Sequence, residues 1–228
     1  MALDPRKRQK KIERRNAQQA ARKKAIARQN AAGPVTRIER AAAAPILHCC
    51  TCDILADQGM ANLLFSRELS SGKVAFVAFL VDMYCLGVKD ITWAVVSRAR
   101  YDWQVYGKLF RDFKIVNLQP EYARKLIEGA VDYARGLGFA PHEDYEKAKL
   151  IFGNVDASAC REQIVYGKNG KPFFIAGPHD SPARCRFIID VLTDRCGPEG
   201  FHFLMPMMAA AELPRGGRIV DLGDDGDD

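Results

Sequence analysis

The sequence predicts an α+β protein: a single domain with a mostly antiparallel sheet packed by helices, preceded by a long basic N-terminal helix. Three observations predict it. Val74 to Val81 is a continuous apolar octet without charge or proline, which reads as a strand buried on both faces. Apolar runs on either side are joined to it by short links, so an antiparallel meander is the expected connection. Residues 1–40 hold thirteen Lys and Arg against Asp4, Glu13 and Glu39, and no Gly or Pro stands between Arg6 and Ala32.

At the N-terminus, Asp4-Pro5 offers a carboxylate N-cap and a proline at the first helical position. The Ala, Gln, Arg and Lys that follow are strong helix formers, and Gly33-Pro34 stops them. Such a helix would be roughly 40 Å long. Its larger aliphatics, Ile12 and Ile26, are fourteen residues apart, so it has no stripe to pack on a core. Crowded cations at Arg6-Lys7-Arg8 and Arg22-Lys23-Lys24 oppose helix formation in isolation. The expected organisation is a basic helical arm over 1–34, a linker over 35–44, the α+β domain over 45–210 and an acidic tail over 211–228. Five of the last eight residues are Asp. The tail reads as a disordered end, or as a segment that folds back on the arm and competes with phosphate.

Within the domain, 61–68 reads as the first strand of the meander and Leu69-Ser70-Ser71-Gly72 as a hairpin loop. The third strand, 88–96, is entered through Gly87. A helix follows over 98–113, with Tyr101, Val105 and Leu109 at near-helical spacing. Residues 119–137 form the clearest helix. Its apolar face is Leu126, Ile127, Ala130, Val131 and Ala134, and Gly136 and Gly138 stand at its end. Pro141 opens a shorter helix to about Ile151. Asn169-Gly170 predicts a hairpin turn between strands at 163–166 and 172–176. Ser181-Pro182 starts a helix through Arg195 with Phe187, Ile188, Val191 and Leu192 inward. Phe201 to Met205 is the last strand, and the helices are expected on one face of the sheet.

Three stretches, FLVDMYCLGVKD at 79–90, YARKLIEGAVDYARGLGFAPHEDYEKAKLIFGNVD at 122–156 and GKNGKPFFIAGPHDSPAR at 167–184, carry a resemblance. They resemble the signature of an uncharacterised bacterial protein family over roughly residues 45–205. No activity is established for that family, so the resemblance implies membership and no chemistry.

The 228 residues suffice for a sizeable core, and 48% hydrophobic content is ordinary. The net charge of +6 is unevenly spread: the first forty residues are +10, which leaves −4 for 41–228. The N-terminus lacks the apolar core of a secretory signal. The longest apolar run is far short of the roughly 18–20 residues of a membrane span. Seven scattered cysteines then fit reduced thiols in a cytoplasmic protein better than a disulfide framework.

The arm carries the functional expectation. Arg6, Lys7, Arg8, Lys10, Lys11, Arg14, Arg15, Arg22, Lys23, Lys24 and Arg28 would meet the phosphate backbone of RNA or DNA and release counterions. The arm has no aromatic residue, so stacking on bases is not its mode and little sequence preference is expected. A plain solvated tail is the competing account. An acidic membrane surface is disfavoured because no apolar face exists to insert. The expectation is a non-enzymatic nucleic-acid- or ribosome-associated accessory protein with no membrane partner.

Candidate chemistry elsewhere is sparser. Cys49 and Cys52 form a C-x-x-C that could be half a zinc site, but no second half follows. Small buried thiols are the plainer reading, so neither metal nor cofactor is expected. The loop Gly177-Pro178-His179-Asp180-Ser181-Pro182 leads into a helix N-terminus, where an anion could bind. A proline turn capped by Asp180 or Ser181 explains it equally simply. Asp82 and Asp90 bracket a strand turn and, with His142 or His179, raise the alternative of a metal-dependent nuclease or hydrolase. Whether the domain is an enzyme stays open. A further alternative is a protein-interaction module of a larger bacterial system, with a protein partner.

Overall fold

The computed structural model describes residues 34–205. The expected basic helix up to Gly33, its eleven named cations and the acidic tail lie outside the described residues. Five strands form one antiparallel sheet: β1 (Ile46–Cys52), β2 (Met60–Glu68), β3 (Lys73–Asp82), β4 (Gly87–Ser97) and β5 (Ile115–Asn117), in the order β4-β3-β2-β1-β5. The expected meander is β2-β3-β4, with Phe65 paired to Val77 and Phe76 to Ala94. β3 lies inside the sheet, between β4 and β2, because Val74 to Phe79 are buried without interruption and only an interior strand covered by helices buries both faces. β1, which the sequence did not single out as a strand, adds to β2 with Cys49 opposite Phe65.

Helices cover both faces of the sheet, not one as expected. On one face the ring of Phe152 stacks on Phe79 at 5.6 Å and meets Phe65 edge-on at 5.1 Å. On the other, Tyr101 lies 6.0 Å from Phe76 and bonds Ser66. Phe65 and Ser66 are neighbours along a strand, so they point to opposite faces. The first face is covered by α1 (Pro34–Ala41), α4 (Pro120–Gly136) and α5 (Tyr145–Ala148), which continues as a 3₁₀ turn over Lys149–Phe152. A short α2 (Ile54–Gln58) links β1 to β2. The second face is covered by the helical segment 98–109, here α3. It has α-helical ends, Arg98–Arg100 and Gly107–Leu109, around a π-helical centre, Tyr101–Tyr106. Ser97 caps it by accepting from the Arg100 amide, and it stops short of the expected end at Phe113.

α4 matches its expected span within a residue at each end, and all five residues of its expected apolar face are buried. The turn between β3 and β4 approaches it closely: at Gly87 (φ +68°) a Cβ would stand 2.8 Å from the Ala130 carbonyl. Only glycine fits both the left-handed backbone and that gap. The stretch expected as a linker, 35–44, is helical as far as Ala41, and Ile38 and Ala41 are buried in the main core.

The C-terminal part departs from the expected hairpin. Asn169 and Gly170 have φ of 54° and 77°, the positive pair of a type I′ turn, and Lys168 and Lys171 bond across it. The ladder stops at that bridge, and 163–166 is not a strand. Instead β6 (Phe173–Ile175) pairs in parallel with β7 (His202–Leu204) across α6 (Pro182–Cys196). A second apolar cluster of Phe174, Ile188, Leu192, Phe201 and Phe203 holds this β-α-β unit. Ser181 caps α6 by accepting from the Arg184 amide at 3.2 Å. Its buried stripe is Cys185, Ile188, Ile189 and Leu192, whereas Phe187, expected inward, is 61% exposed. Counting Cys185 as apolar recovers the i, i+3, i+4, i+7 pattern.

Candidate functional site

The cysteines resolve first. Cys49 and Cys52 lie three apart on β1, so their side chains leave opposite faces of the sheet and cannot share a metal. Burial, with neighbouring acidic groups, pushes the Cys49 and Cys50 thiols up to about 12, which leaves them protonated and unreactive. All seven cysteines are free. Among the described residues, no group of three or more His, Cys, Asp or Glu is placed to hold a metal ion.

The four candidate residues for hydrolysis are therefore not assembled as a ligand set. Asp82 is 2% exposed. Its Oδ1 accepts from the Tyr84 and Cys85 amides at 2.9 and 3.0 Å, closing the β3-β4 turn, while Oδ2 has no partner among the described residues. Burial raises its pKa, opposed by Lys89 and the backbone donors. Asp90 is exposed and stands 3.7 Å from His142 Nε2, and His179 is exposed on its loop. The structure brings Asp90 and His142 together and leaves Asp82 and His179 out.

Beside that pair lies a cleft. In the β3-β4 ladder Leu80 faces Asp90 but Val81 faces Val88, so Lys89 is an extra, bulged residue. Bulges re-aim side chains at the ends of pairing, and Lys89 reaches Asp180 at 3.4 Å. Asp180 also accepts from the Gly177 amide at 2.8 Å and from Arg184 at 3.1 Å. Burial alone would raise the Asp180 pKa; the Gly177 N–H, with Lys89 and Arg184, outweighs it and holds the carboxyl below its ordinary value. The 177–182 loop thus follows the capping account, because the Ser181 hydroxyl already accepts from the Arg184 amide at the helix start, where an anion would bind. The amide of His142 donates to the Val88 carbonyl and ties residues 138–142 to the edge of β4. Between these pieces is a cavity of about 450 Å³, with Val88, Phe139 and Ile188 as apolar wall and Lys89, His142 and Arg184 as polar lining.

Two further features were not read from sequence. Arg37, Arg40 and Lys73 line a cavity of about 70 Å³ between α1 and the β2-β3 hairpin, at the root of the arm. Under α3, Tyr101 Oη lies 2.8 Å from both Ser66 Oγ and His48 Nδ1, and the His48 ring stacks on Tyr106 at 4.5 Å. Burial lowers the His48 pKa, helped by Arg98 and opposed by Asp102. His48 and Ser66 meet through the β1-β2 pairing and Tyr101 through the packing of α3 on the sheet, so no local spacing announces them.

Comparison with protein-family models, curated proteins and solved structures gave no match to this chain. No helix among the described residues is long and apolar enough to cross a membrane. What the residues define is an α+β domain with a small cleft and a strongly basic N-terminal segment.

Proposed function

We propose that the protein is a non-enzymatic, cytoplasmic, nucleic-acid- or ribosome-associated accessory protein that holds phosphate backbone through its basic arm. The observation that carries this is charge segregation. Residues 1–40 are +10, and the whole deficit of −4 lies in 206–228, where six carboxylates face Arg215 and Arg218. Residues 41–205 are then neutral, so the chain is basic, neutral and acidic in turn. Arg37, Arg40 and Lys73 extend the cationic surface onto the domain. Phosphate neutralisation scales with cation number and weakens with salt.

The test is replacement of Arg6, Lys7, Arg8, Arg22, Lys23 and Lys24 by Gln in the full chain, with binding to a mixed-sequence RNA and DNA duplex followed against salt. Binding should weaken by at least about tenfold at moderate salt, with a shallower salt slope. Equal retention would overturn the proposal. A protein partner is the second reading, favoured by Trp103, 82% exposed on α3. Pull-down with and without nuclease separates them: partners lost on nuclease treatment indicate nucleic acid, and partners retained indicate protein.

A further inference from the structure

We propose that the cleft between the start of β4, residues 138–142 and α6 binds a small organic molecule carrying one negative charge, a carboxylate on an aromatic or branched aliphatic body. The cavity, about 450 Å³, lies within the range of small-molecule pockets, which are mostly apolar with a few polar groups that fix orientation. Val88, Phe139 and Ile188 supply the apolar wall, and Phe187 stands exposed at the rim.

The charge count selects the head group. Lys89 and Arg184 line the cavity while no carboxylate does. Asp180 is shared by both, and Asp82, which also feels Lys89, is 2% exposed, outside the lining, with burial favouring its neutral form, so one positive charge is in excess. Asp90 beside His142 is 66% exposed and keeps its solvent. The Lys89 side chain is 10% exposed, yet among the described residues its ammonium meets a single acceptor, at 3.4 Å. Charge-assisted N–H···O bonds are nearer 2.7–2.9 Å, and an ammonium has three donors. Buried donors without acceptors are costly, and an incoming carboxylate would supply them. A phosphate dianion would bring one charge more than the surplus can match.

The inference is independent of the arm. Its test is titration of the ¹⁵N-labelled full chain with phenylacetate, the uncharged 2-phenylethanol and phenyl phosphate. Phenylacetate should shift the amides of Lys89, Gly138, His142 and Ile188 saturably, and 2-phenylethanol should bind at least about tenfold more weakly, as expected for losing a hydrogen-bonded charge. Arg184→Gln and Phe187→Ala, both at exposed side chains, should each weaken phenylacetate several-fold, and Lys89→Gln should weaken it more. Absence of saturable shifts at those amides overturns the site. Equal binding of the alcohol, or unchanged binding in Arg184→Gln and Lys89→Gln, overturns the anion assignment. Tighter binding of phenyl phosphate overturns the single-charge class.

Discussion

Arg67 and Lys89 are both largely buried cations at the sheet, and their surroundings could hardly differ more. Arg67, 4% exposed, donates to the carbonyls of Ile151, Ala44 and Phe152 at 2.7, 2.5 and 2.7 Å. Among the described residues it has no carboxylate partner, and its fork is matched by backbone. Lys89 has one distant acceptor among the described residues and lines a cavity. A guanidinium whose three nitrogens each reach a carbonyl serves architecture; an ammonium with two of three donors to spare is available to something else.

The largest expected effect breaks the first half of that contrast. Arg67→Met takes a donor from the carbonyls of Ile151, Ala44 and Phe152, of which Phe152 keeps the Val155 amide, and should cost about 3–5 kcal/mol in denaturant unfolding. A cost below about 1 kcal/mol would mean water replaces the side chain. Next, Tyr101→Phe removes the hydroxyl shared by Ser66 and His48 and should cost about 1–2 kcal/mol. Acid should act at the same place. The folded-state pKa of His48 is depressed, so the unfolded chain takes up the proton first. Stability from this group is present above about 6.5 and is lost as pH falls towards the folded value. Melting temperature should therefore drop over that interval, and His48→Gln should flatten the slope. The smallest effect is Lys89→Met, which leaves Asp180 with Arg184 and the Gly177 amide and should change stability by less than about 1 kcal/mol. A loss as large as that of Arg67→Met would erase the distinction between the two cations.

How far sequence foretold this depends on where each signal lies. β3 and α4 were legible because an eight-residue apolar run and a 3.6-period stripe are local facts. β1 was obscured because its buried residues are cysteines and a threonine, which first suggest chemistry. The Asn-Gly turn and the strand after it follow the expectation, but 163–166 is not a strand, and the partner of Phe173 is His202, reached across a whole helix. Of the candidate site, the Asp90–His142 pair and the 177–182 loop were named in advance. The cleft that they border was not, because it depends on a bulge at Lys89 that only the β3-β4 register reveals.

The wide turn in α3 has a consequence for which changes of length this protein tolerates. Removing a single residue between Asp102 and Tyr106 would let the segment wind as an ordinary α-helix. The Gly107 amide, which reaches five residues back to the Asp102 carbonyl, would then reach four, so everything beyond the cut keeps its place and Phe110 stays in the interior. A residue removed after Gly107, where no wide turn absorbs the loss, would instead swing Phe110 by about 100° around the axis. One letter can be dropped from this helix only where the chain already carries one more than a plain turn needs.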